Sequence, residues 1–153
     1  MMGKMMTEIN QLTDEALLEL AYRVGDEIDS RWQATGGQES VRFKDCQAVF
    51  LHFHYRLWAK PQEHLFALFL DHQHHLLEER LITLGTVDAS LIHAREVFAP
   101  AIEKRASSVI LAHNHPSGLA APSVQDLLVT KRLKKVGHLI GITLLDHLII
   151  GKN

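Results

Sequence analysis

A chain of 153 residues, 46% hydrophobic and 22% charged, is long enough for one ordinary domain with its own core. A formal net charge of −2 argues against a general nucleic-acid binder, and the single cysteine, Cys46, excludes an internal disulfide and fits a reducing cytoplasm. No apolar run approaches the ~18 residues of a membrane span, and Met1 to Met6 carry one Lys and no apolar core of signal length, so the expected setting is cytoplasmic with no membrane partner.

In chain order, residues 12–30 place Leu12, Leu17, Leu18, Leu20, Ala21, Val24 and Ile28 at helical spacing among acidic residues, with Thr13 at the start. Residues 33–40 are a polar, Gly-containing linker. A second helix is predicted from Ser40 to about Trp58, with Val41, Cys46, Val49, Phe50 and Leu57 on its apolar face. His52 and His54, at i, i+2 on that helix, do not face each other and read as surface or partner residues. Residues 1–58 thus form a helical lead-in packed on the same domain, and residues 59–153 its core.

His64 to Leu70 is an apolar run that predicts a first core strand. Asp71-His72-Gln73-His74 reads as a solvated turn, and His75 to Leu84 returns as the second strand of a hairpin. Gly85 to His93 is an irregular connection, and Ala94 to Lys104 has helical spacing. Val109 to Ala112 is a short buried strand. Ser123 caps a helix to about Val136, with Leu127, Leu128, Leu133 and Val136 inward and Gly137 as its stop. Lys131, Arg132, Lys134 and Lys135 fall on a solvated face near the helix C-terminus. Ile142 to Ile150 is the last strand. The alternation without a clean βαβ repeat predicts an α+β (mixed-sheet α/β) fold.

The most informative stretch is residues 107–126. The strand Val109–Ala112 runs into His113-Asn114-His115, and histidines at i, i+2 on a strand point to one face. Pro116-Ser117-Gly118 then turns the chain, and Asp126 lies in the first turn of the following helix. Two imidazoles and a carboxylate make a three-ligand metal site with a fourth position open for water, the mark of a catalytic rather than a structural zinc. The same residues have a plainer reading: a hydrogen-bonded His pair, and Asp126 closing a capping box with Ser123. The two readings are compatible, because a helix first turn holds a ligand rigidly.

His113-Asn114-His115-Pro116-Ser117-Gly118, followed by Pro122-Ser123 and Asp126, resembles the His-x-His-Pro…Ser-x-x-Asp signature of the JAMM (JAB/MPN+) metalloproteases, in the form of the RadC branch. Leu84-Gly85-Thr86, His93-Ala94-Arg95-Glu96-Val97-Phe98 and Leu144 to Gly151 extend the resemblance over about residues 60–151. Ala94 departs from it, since the family usually has Pro after the His. The resemblance implies a JAB/MPN-like curved mixed β-sheet flanked by helices, of cytidine-deaminase-like architecture. It also implies a zinc ion on His113, His115 and Asp126, and hydrolysis of a peptide or isopeptide bond in a peptide or protein substrate.

Zinc so held lowers the pKa of water towards ~7, and peptide hydrolysis then needs a general base and a donor to the oxyanion. Glu63 resembles the catalytic glutamate that just precedes the first apolar strand in the JAMM pattern, with Glu78 and Glu79 as competitors. Ser123 matches the family serine as the donor, Asn114 points away from the histidines, and His147 is a candidate to support a ligand. Two rival functions remain. One is a DNA-repair-associated protein that binds or acts on nucleic acid, against which stand the acidic balance and the apparent lack of the helix-hairpin-helix of longer RadC proteins. The other is a non-catalytic interaction module. The substrate, native metal and oligomeric state are left open.

Overall fold

The computed structural model describes residues 10–34, 41–58, 60–85 and 92–151, in the order α1 (Asp14–Ala34), α2 (Cys46–Leu57), β1 (His64–Leu70), β2 (Leu76–Leu84), α3 (Ala94–Glu103), β3 (Ser108–Asn114), α4 (Val124–Ile140) and β4 (Thr143–Ile150). The four strands form one mixed sheet in the order β2-β1-β3-β4. β1 is antiparallel to both β2 and β3, whereas β3 and β4 are parallel and joined through α4. This is the mixed sheet flanked by helices that the sequence implies. Most of the linker at 33–40 and of the connection at 85–93 lies outside the described residues.

Strand alternation divides the apolar residues between two cores. Leu65, Ala67, Phe69, Val109 and Leu111 face α3 and α4, together with Val97, Phe98, Val129 and Leu133. Leu68, Leu70, Ile110 and Ala112 face α2 and meet Phe43, Val49, Phe53 and Leu57. β3, second from the edge and covered on both faces, is buried at all seven positions. Each fully buried Leu or Phe contributes about 1.5–3 kcal/mol, and His113 and Asn114 are carried on this doubly covered strand.

The hairpin and its turn stand where the sequence places them. Asp71 Oδ1 accepts from the backbone N–H groups of Gln73 and His75 at 2.7 and 2.9 Å, and His72 and His74 are exposed. Other expectations are corrected. α2 begins at Cys46, not Ser40, because Asp45 accepts from Ala48 N at 2.8 Å as its N-cap. The preceding Val41 to Phe43 is extended and bonds to the hairpin turn, Phe43 N to His74 O and Leu76 N to Val41 O. His52 is not a surface residue: its Nε2 lies 2.6 Å from Glu79 in a buried cluster with Arg56.

α4 does not stop at Gly137 but runs on to Ile140, with Gly141 (φ 74°) as its C-cap. Gly137 is there for close packing, since a Cβ would lie 2.3 Å from the carbonyl oxygen of Ile142 and 3.1 Å from the Phe98 ring. The helix phase also differs from the expected one. Leu127 and Leu128 are exposed, and Asp126, Val129 and Leu133 face inward. With Asp126 turned towards the sheet, the 3.6-residue period carries positions 127 and 128 to the outside.

Candidate metal centre

His113 is the sixth residue of β3 and fully buried on the α4 face of the sheet. His115 lies just past the strand end, where its N–H bonds to Ile150 O at 3.2 Å. Asp126 comes to the same point from the first turn of α4. His113 Nε2 is 2.9 Å from His115 Nε2 and 3.2 Å from Asp126 Oδ1, and His115 Nε2 is 3.4 Å from Asp126 Oδ2. The three residues form a group able to hold a metal ion. Tetrahedral ligands about 2.05 Å from zinc stand roughly 3.3 Å apart, so these separations are near those of a filled site.

The donor set fits a cation. His115 Nδ1 lies 2.7 Å from the carbonyl oxygen of Leu119, which can only accept, so the ring proton is on Nδ1 and Nε2 presents a lone pair. Asp126 Oδ2 accepts from Ser123 N at 2.7 Å and Ser123 Oγ at 2.6 Å, which leaves Oδ1 towards His113. Three acceptors converging at these distances make a pocket of negative potential that a cation would fill.

The electrostatics agree. Burial, followed by the neighbouring His147, pushes the His113 pKa from 6.5 down to about 3, so its ring is neutral, the form that binds metal. Burial likewise pushes His147 down to about 4, against the pull of Asp126 and Asp146. For Asp126 burial acts upward, but the two hydrogen bonds from Ser123 and the nearby histidines outweigh it and leave the carboxyl below its ordinary 3.8.

Glu63 is half-buried, and its carbonyl accepts from Gly85 N at 2.9 Å. It stands just before β1, two residues ahead of Leu65, which pairs with His113. Its competitors are committed elsewhere. Glu79 pairs with Leu68, on the α2 face, and bonds to Arg56 at 2.5 and 3.0 Å. Glu78 bonds to Arg80 and Lys104 at 2.5 and 2.9 Å.

Ser123 is the N-cap of α4 and completes a full capping box with Asp126, whose N–H it accepts at 3.1 Å while donating to Oδ2. The capping and metal-site readings of these residues thus coexist in one geometry.

Asn114 does more than point away. Its Oδ1 accepts from His64 N at 2.9 Å, and its Nδ2 donates to Gln62 O at 3.0 Å and Lys60 O at 3.3 Å. It therefore clamps the segment that carries Glu63 to the end of β3. Strand alternation gives its face, but only the pairing of β1 with β3 reveals its partners. His147 Nε2 lies 2.9 Å from His113 Nδ1, and His147 Nδ1 lies 2.7 Å from Thr130 Oγ1. Nothing in the local sequence singles out Thr130.

Residues 43–153 match the family model described as the RadC-like JAB domain. Among curated proteins, the chain is 48% identical over 137 residues to a UPF0758 protein of Syntrophotalea carbinolica, covering 90% of this chain and 57% of that one. It is 40% identical over 137 residues to a UPF0758 protein of Geobacter sulfurreducens, with the same coverage, and 52% identical over 92 residues to one of Listeria monocytogenes, covering 60% of this chain and 41% of that one. The chain spans about half the length of these relatives.

Proposed function

The chain belongs to the family of RadC-like JAB domains, and from that premise we propose that it is a zinc-dependent hydrolase of the JAMM type, cleaving a peptide or isopeptide bond. The observation that carries this reading is the convergence of His113, His115 and Asp126 at the end of β3 and the start of α4. A zinc ion held there supplies Lewis acidity that makes water a nucleophile near neutral pH.

The chain's own residues supply the rest. Glu63 takes the proton of the attacking water and returns it to the leaving nitrogen, so that one water is consumed and an acid and an amine are released. Asn114 holds the Glu63 segment in register with the histidines. Ser123 donates to the carbonyl oxygen as charge builds there, by turning its hydroxyl away from Asp126 Oδ2, where its proton now lies. Among the described residues no helix is long and apolar enough to cross a membrane, and with one exposed free thiol, Cys46, we place the protein in the cytoplasm.

The test is hydrolysis of peptide and isopeptide substrates by the zinc-loaded protein and its Glu63→Gln variant. The reading expects cleavage by the wild type, and a loss of about 10²–10⁴-fold in the variant with metal content unchanged. Equal activity of the two removes Glu63 from the mechanism, and no cleavage of any substrate turns the reading towards an interaction module. A nucleic-acid substrate is the second reading. Lys131, Lys134 and Lys135 favour it, being exposed on α4 without an acid beside them on that helix after Asp126. DNA binding that weakens steeply with salt supports it, and no binding at low salt removes it.

A further inference from the structure

Behind the metal cluster, a line of hydrogen bonds runs from His113 through His147 and Thr130 back to Asp126, and its direction follows from counting protons. Thr130 has a single hydroxyl proton. Its Oγ1 is 2.7 Å from the carbonyl oxygen of Asp126, which can only accept, so the proton points there. Thr130 Oγ1 must then accept from His147, 2.7 Å away, which places the ring proton of His147 on Nδ1. A neutral His147 presents a bare Nε2, and this accepts from His113 Nδ1 at 2.9 Å. His113, neutral as well, is left with a bare Nε2 facing His115 and Asp126.

We propose that His147 and Thr130 are positioning residues that lock His113 in the Nδ1–H tautomer and so aim its Nε2 lone pair at the metal. The lock is closed, because it starts at the ring of one ligand and ends on the backbone of another. It therefore also fixes the first turn of α4 against β4 and sets where Asp126 stands relative to His113. The partner of a ligand histidine is normally a carboxylate, a backbone carbonyl or water. Here it is a neutral imidazole, which can accept in only one tautomer, and Thr130 selects that tautomer. A local irregularity makes the contact: the β3–β4 register shifts between Val109 and Ile110, so that Val109 pairs with Leu144 but Leu111 with His147. Without that shift, alternation from Leu144 would carry Asp146, not His147, to the His113 face.

This inference rests on the metal-site reading, and its test separates the two. Imidazole ¹⁵N NMR of the metal-free protein at pH 7 reads the tautomers without any metal, and Zn²⁺ affinity is read by competition with a chromogenic chelator. The wild type is expected to show His113 and His147 protonated at Nδ1 only. Thr130→Val keeps the shape but loses the acceptor for His147 Nδ1, so the two rings populate mixed tautomers and Zn²⁺ binds several-fold more weakly, while Thr130→Ser behaves as the wild type. His147→Phe weakens Zn²⁺ binding about 10–100-fold, and His147→Gln, whose amide can both accept and donate, recovers part of the loss. A wild-type His113 protonated at Nε2, or tautomers and affinity unmoved in Thr130→Val, overturns the proposal. Thr130→Val answers the question even if His147→Phe fails to fold. A protein with the expected tautomers that takes up no zinc refutes the metal reading and leaves the lock standing.

Discussion

Acid should destabilise the metal-free protein well before its carboxylates titrate. His113 is fully buried and His147 half-buried, and burial holds both rings neutral, with pKa values pushed from 6.5 down to about 3 and about 4. In the unfolded chain both return to the ordinary value and bind a proton below pH 6.5. Folded values below unfolded ones mean that the unfolded state takes up more protons, so stability is fully present above pH 6.5 and is lost as pH falls towards the folded values. At pH 5.0 the distance from 6.5 is 1.5 pH units, worth about 2 kcal/mol per histidine and about 4 kcal/mol for the pair. That is a large share of the roughly 5–15 kcal/mol of a typical domain. Asp126 and Glu79 do not obscure the window, because their carboxyls are lowered and their contribution is lost only as pH falls below the unfolded values near 4. The assay is urea denaturation of chelator-treated protein at pH 7.0 and 5.0 with linear extrapolation. His147→Gln, whose amide does not ionise, should halve the loss to about 2 kcal/mol. Wild-type stability equal at the two pH values would refute the neutral state of the two rings.

Three further outcomes follow from the packing and the site. Gly137→Ala should destabilise by about 1–2 kcal/mol in urea titrations despite the better helix former, because the new Cβ meets the Ile142 carbonyl oxygen at 2.3 Å; a more stable variant would contradict the close packing. Arg56→Met should cost about 3 kcal/mol by the same assay, since it leaves the buried Glu79 carboxylate without its guanidinium. Asn114→Ala removes the clamp on residues 60–64, so hydrolysis by the zinc-loaded protein should fall while zinc content stays the same; loss of zinc instead would assign Asn114 to the metal site.

What the sequence makes legible here is local. His113 and His115 sit on a strand whose two-residue period sets their common face, and Asp126 is tied to Ser123 by a four-residue capping pattern. The hairpin is legible because an apolar run, a polar turn and a returning run are contiguous. What stays hidden depends on contacts distant in sequence. The phase of α4 is set by Asp126 turning inward, which apolar spacing alone misplaces at Leu127 and Leu128. The start of α2 is set by Asp45 and by the pairing of Phe43 with a turn 31 residues away. His52 reads as surface until Glu79, on β2, comes to lie beside it. The link from His113 to His147 needs a one-residue register shift that no hydropathy pattern encodes.

The most direct test of the account is the metal content of protein purified without a metal-affinity tag, measured beside His113→Ala and Asp126→Ala. The account predicts about one divalent ion per chain in the wild type and its loss from both variants. A wild type that is empty and takes up no added zinc would contradict it.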